Sequence, residues 1–178
     1  MLNRQKGGES VSRVPRPVFL CFDYTVDLPR ASMIRDMVRV TGDYVFFDIN
    51  WTVLSHLPEE TVKAMIDEQL ERCDCLLVLI TGTTARCPLV SYEIQQAYEM
   101  RKGIVGIYAH HLRPDPSLSA EKGANPFFYL YTGTKERLCT YLSCYDPPFT
   151  STRFTYDDIY SRLDILIEEA IRLKSTIP

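Results

Sequence analysis

The chain has 178 residues, within the usual size of one domain and enough to bury a sizeable core. Hydrophobic residues make up 46% and charged residues 24%, which excludes the low-hydrophobicity, high-charge regime of disordered chains. Lys and Arg total 20 against 23 Asp and Glu, and the net charge of -3 supplies no drive toward nucleic acid or an anionic membrane, so neither is expected as a partner.

The opening stretch, with Arg4, Lys6, Gly7, Gly8 and Arg13, has no long apolar segment and reads as a flexible tail over residues 1–15, ahead of a domain over 16–178. No apolar run approaches the ~18 residues of a membrane span, and a cytoplasmic location is expected. Val18 to Phe22 is continuously apolar and aromatic, the pattern of a strand covered on both faces. Asp27 and Pro29 read as a helix start; Met33, Ile34, Met37 and Val38 recur at helical spacing until Thr41-Gly42 stops them. Tyr44 to Phe47 is a second short strand, followed by the polar cluster Asp48, Asn50, Trp51 and Thr52.

Pro58, Glu59 and Glu60 open the next helix, since proline suits the first turn and acids complement the helix dipole; Val62, Met65, Ile66 and Leu70 form its stripe. Cys75 to Ile80 is a third strand, ending in the small hydroxyl loop Thr81-Gly82-Thr83-Thr84. Pro88 opens a helix with the stripe Val90, Ile94, Ala97 and Tyr98, Gly103 closes it, and Ile104 to Tyr108 is a fourth strand. After an irregular stretch over 110–137, Leu138 to Cys144 supplies a fifth. Thr155 and Asp158 have capping-box spacing, Phe154 and Ile159 can staple across the cap, and Leu163, Leu166, Ile167 and Ala170 continue the apolar face of a last helix. This alternation predicts an α/β fold of the flavodoxin-like kind, a three-layer sandwich around a central parallel five-stranded sheet in the order 2-1-3-4-5.

Of the six cysteines, several sit in or beside apolar runs, where a thiol packs as a small hydrophobe. Cys73-Asp74-Cys75 is a lone pair with no second half, and the chain has three histidines, so no metal site is expected. Cys87, near a helix start with no histidine close in sequence, reads as a structural thiol. Dinucleotide-fold, phosphate-loop and hydrolase-elbow glycine motifs are all absent.

In an open sheet of this kind ligands bind outside the carboxyl ends of the strands, near the reversal of strand order. Phe22, Asp23 and Tyr24 emerge there after the first strand, Asp48, Asn50 and Trp51 after the second, and Thr81, Thr83 and Thr84 after the third. Glu93 falls three residues after Val90 and four before Ala97, at the edge of a buried stripe, an expensive place for an unpaired carboxylate. Spacing leaves open that Glu93 reaches out to solvent or pairs with Arg86, that Asp23 and Asp48 cap turns, and that Trp51 is a packing anchor.

Three blocks carry a family resemblance. Residues 16–24, Arg-Pro-Val-Phe-Leu-Cys-Phe-Asp-Tyr, resemble the first strand of the TIR-like domains typified by the ThsB subunit of the Thoeris antiphage defence system. Residues 73–84 are similar to that family's third strand and threonine loop. Val90-Ser91-Tyr92-Glu93-Ile94 is similar to its helix motif, in which an aromatic residue precedes the functional glutamate. The resemblance implies an enzyme that cleaves the nicotinamide–ribose bond of NAD and makes an ADP-ribose-derived, cyclic signal that activates a separate effector. Glu93 is then the catalytic carboxylate, with Phe22, Asp23, Asp48, Trp51, Thr83 and Tyr92 around the substrate. No cofactor beyond NAD as substrate is implied. A phage component or self-assembly into a homo-oligomer would order the site. Tyr92 stands where many TIR enzymes have tryptophan, and the segment from Arg113 to Tyr131 has no counterpart. TIR folds also serve as noncatalytic adaptors acting through protein–protein assembly, and a flavin- or nucleotide-binding regulator would suit the same fold.

Overall fold

The computed structural model describes residues 15–41, 44–49 and 56–178, with the side chains of 38–41 outside that description. Residues 1–14 of the expected tail, the side chain of Val38 in the first helix's stripe, and Asn50, Trp51 and Thr52 lie outside the described residues. The elements are β1 (Arg16–Cys21), α1 (Leu28–Thr41), β2 (Tyr44–Phe47), α2 (Glu59–Arg72), β3 (Cys75–Ile80), α3 (Pro88–Glu99), β4 (Gly103–Tyr108), β5 (Cys144–Tyr145) and α4 (Thr152–Leu173). The five strands form one parallel sheet in the order β2-β1-β3-β4-β5.

The sheet is covered on both faces because its central strands alternate apolar side chains to either side. Val18, Leu20, Phe22, Leu77, Leu79 and Ile107 pack with Ile34 of α1 and Ile159, Leu163 and Ile167 of α4. Phe19, Cys21, Leu76, Val78 and Ile80 pack with Ile66 and Leu70 of α2 and Val90 and Ile94 of α3. The reversal of strand order falls between β1 and β3, whose register pairs Val18 with Cys75 and Cys21 with Val78. Among the described residues no helix is long and apolar enough to cross a membrane.

The far edge differs from the sequence expectation. Leu138–Thr140 is a short 3-10 turn, and the fifth strand is only Cys144–Tyr145, paired with Gly106 and Ile107. Leu138 and Leu142 are four apart and both buried, a helical spacing, and the Leu142 amide donates to the Leu138 carbonyl at 2.9 Å. The last helix begins three residues ahead of the expected cap, with Ser151 at its N-cap. The Thr152 hydroxyl lies 3.1 Å from the carbonyls of His111 and Arg113 and accepts from the Arg113 amide, anchoring the first turn to the chain leaving β4. The Thr155 hydroxyl donates to the Phe149 carbonyl and Asp158 binds the Tyr145 hydroxyl, so the capping box does not form. Phe154 meets Phe149, at a ring distance of 5.9 Å, and stays exposed, rather than stapling onto the buried Ile159. Gly103 opens β4 instead of closing α3; the positive φ past that helix, 56°, falls on Arg101.

Candidate functional site

At the strand-order reversal lies a cleft of about 850 Å³. Among the described residues its walls include the Asp23–Thr25 turn after β1, Lys63 of α2, and Thr83, Arg86, Cys87 and Tyr92 of the threonine loop and α3. Ligand clefts in open α/β sheets form at this place, because the two neighbouring loops diverge to opposite faces.

Asp23 is buried at the cleft wall and caps its own turn, its carboxylate accepting from the Thr25 amide at 3.1 Å and hydroxyl at 2.6 Å. The Thr83 hydroxyl is shielded from solvent and has no partner within the protein. Tyr92 donates its hydroxyl to both oxygens of Asp67 at 2.9 Å. Burial first, and then this bond, pushes its pKa up to about 12. Lys63 sits 5.2 Å from the Tyr92 ring centroid while pairing with Glu59 at 2.7 Å.

Glu93 lies one residue past Tyr92 on α3, 2% exposed and outside the set of side chains that line the cleft. It hydrogen-bonds the thiol of Cys21, the last residue of β1, and its Oε2 has no partner. Burial pushes its pKa up to about 8, against which the Cys21 bond acts in the opposite direction. A carboxyl in this condition is largely protonated at pH 7. Neither a reach to solvent nor a pair with Arg86 describes it; Arg86 donates instead to the Gly82 carbonyl at 3.1 Å.

The structure therefore gathers Asp23, Thr83 and Tyr92 at the cleft, with Glu93 buried beside Tyr92 in the chain and outside the lining. Phe22 packs in the core between the sheet, α1 and α4 and does not line the cleft. Asp48 forms an ion pair with Arg35 and is likewise outside the lining. Trp51 lies outside the described residues. Sequence reasoning passed over Lys63 and Cys21 and named Arg86 only as a partner for Glu93; among the described residues Lys63 and Arg86 are the cations that line the cleft. Glu59 and Lys63 do carry the four-residue spacing of a helical ion pair, whereas the partnership of Cys21 with Glu93 spans two elements and has no local signal. Burial raises the Cys87 thiol pKa, as suits a structural thiol. Among the described residues no three His, Cys, Asp or Glu side chains are grouped to hold a metal ion.

A parallel sheet in this order, with helices on both faces and a cleft at the reversal, defines a flavodoxin-like α/β protein. The chain belongs to the family of the Thoeris protein ThsB, TIR-like domain, whose family model matches residues 19–114 and so includes the threonine loop, Tyr92 and Glu93. Among solved structures it is similar to a 2-desoxiribosyltransferase from Leishmania mexicana, at 14% identity and a TM-score of 0.46, covering 83% of this chain and 98% of that one. It is also similar to a diflavin flavoprotein A3 from Nostoc sp., at 13% identity and a TM-score of 0.46, covering 93% and 98%. No curated protein matches the chain.

Proposed function

We propose that this chain is a TIR-like enzyme of antiphage defence that cleaves NAD between nicotinamide and ribose and releases an ADP-ribose-derived, cyclic signal for a separate effector. The observation that carries the reading is Glu93, a buried carboxyl with an unpartnered oxygen, next in the chain to Tyr92 of the cleft lining. In the reaction the C1′–N bond breaks, its electron pair neutralises the departing pyridinium nitrogen, and the ribose becomes oxocarbenium-like. A carboxylate beside that centre stabilises the charge and takes the proton of the attacking hydroxyl. The leaving group departs neutral, so a second acid is unnecessary. A cationic pyridinium ring brought alongside favours the ionised form of Glu93, countering the burial that holds it protonated.

Glu93 is buried outside the cleft lining, so turnover requires a shift of α3 or the threonine loop, and a phage component or self-association would supply it. The same burial favours a second reading, a noncatalytic adaptor in which Glu93 is purely internal. The two separate in cells expressing wild type or Glu93→Gln, with and without phage infection, by mass spectrometry of NAD and ADP-ribose products. Product that depends on Glu93, in either condition, is expected. NAD unchanged in every condition assigns the chain to the adaptor class.

A further inference from the structure

The segment after β4 is clamped onto the threonine loop by a buried chain of polar contacts. Asp27, just ahead of α1, is 0% exposed and Arg30 is 2% exposed. Arg30 donates Nη1 to Asp27 Oδ1 at 2.6 Å and Nη2 to the carbonyl of Ser119, 89 residues away. The other Asp27 oxygen accepts from the Thr81 hydroxyl at 2.6 Å. Thr81 in turn donates its amide to the Thr84 hydroxyl at 2.8 Å, and that hydroxyl reaches the Leu79 carbonyl at 3.1 Å. A second contact fixes the same two pieces: a Cβ on Gly123 would lie 1.7 Å from the Thr81 carbonyl oxygen, so only glycine allows this approach. Arg86 lines both the main cleft and a second hollow of about 380 Å³ whose opposite wall is Glu121 to Ala124.

A buried ion pair is weak evidence of stabilisation, since apolar residues of equal volume often do as well. Here Arg30 Nε is also left without a partner. What Arg30 does that an apolar residue cannot is hold a carboxylate and a distant carbonyl at once. We propose that Arg30 is a positioning residue which, with Gly123, locks the 113–125 segment to the threonine loop, so that the placement of Thr83 and Arg86 in the cleft is set by that segment. Whatever moves the segment then moves the Thr83 and Arg86 side of the cleft. The kinetic consequence rests on the NAD-cleaving reading; the structural coupling does not.

The test is hydrogen exchange followed by mass spectrometry on the full chain, for wild type, Gly123→Ala and the charge-balanced pair Arg30→Met with Asp27→Asn. Both variants are expected to speed exchange over residues 81–86 by at least about tenfold while leaving the β3 and β4 amides protected, the pattern of local rather than global opening. Unchanged protection at 81–86 in both variants overturns the proposal. NAD consumption measured alongside should show KM rising more than kcat falls in both variants, with Arg30→Lys losing less than the Arg30→Met, Asp27→Asn pair. If wild type consumes no NAD in any condition, the enzymatic reading fails while the exchange data still decide the coupling.

Discussion

An acid held 2% exposed with one oxygen unpartnered costs the fold stability whenever it ionises, and that cost makes Glu93 measurable without any substrate. Its pKa rises from an ordinary 4.5 to about 8 in the native state, with burial as the cause. Between those values the native protein keeps a proton that the unfolded chain releases, so the contribution of Glu93 to stability falls as pH rises through the window and levels off above it. Glu93→Gln removes this dependence. Its melting temperature is expected to gain on wild type steadily between about pH 5 and about pH 8. A difference independent of pH would mean that Glu93 does not titrate in this window. The place of Glu93 beside Val90 and Ala97 put it at the edge of the buried stripe but left an outward reach or a pair with Arg86 open; the structure buries it, and its partner had no local signal because Cys21 reaches it across the sheet–helix boundary from β1. Asp23 shows the converse: the residue past a strand caps its own turn, as local chemistry alone suggests, while still facing the cleft.

At the scale of elements, the strands and helices announced by apolar runs or stripes stand where their pattern put them, the four-residue β2 included, and the far edge of the sheet does not. β5 is two residues long, too short to carry a period, and its neighbour Leu138 was read as strand although its partner Leu142 lies at helical spacing. The start of α4 moved to Ser151 because Thr152 finds the carbonyls of His111 and Arg113, a tertiary contact that outweighs the local Thr155 signal. Two glycine and aromatic positions make the packing of these elements testable. A Cβ at Gly103 would lie 2.8 Å from the Ile171 amide nitrogen, so Gly103→Ala must push α4 off β4 and is expected to destabilise by about 1–3 kcal/mol in denaturant unfolding. Phe127 is fully buried and plugs the segment after β4 into the α2/α3 face of the core; Phe127→Ala should cost about 3–5 kcal/mol, and a smaller loss would show that the segment collapses into the space.

For the whole molecule, the order β2-β1-β3-β4-β5 followed from alternation of apolar strands and striped helices, because parallel strands need crossover helices and few small arrangements satisfy that. What did not follow was the fit of residues 113–125 against the threonine loop, which depends on single contacts such as Gly123 on Thr81 that no periodicity encodes. The two core faces also sort the thiols into distinct reporters. Cys21 and Cys75 are fully buried and Cys73 nearly so, whereas Cys87, Cys139 and Cys144 are only partly buried; burial raises the pKa of all three buried thiols and of Cys87 and Cys144 as well. Thiolate is the reactive form, so a thiol reagent should modify the partly buried Cys87 and Cys139 first, Cys144 more slowly because burial pushes its pKa up to about 12, and the three buried thiols only through opening of the structure. Cys21 and Cys75 occupy adjacent strands of the same sheet, yet only Cys21 touches Glu93. If the site is exposed by a local shift at the cleft, the activating condition should accelerate labelling of Cys21 and leave Cys75 at its basal rate. Equal acceleration of both would mean that activation loosens the sheet as a whole, and no acceleration of either would mean that Glu93 stays buried in the active state.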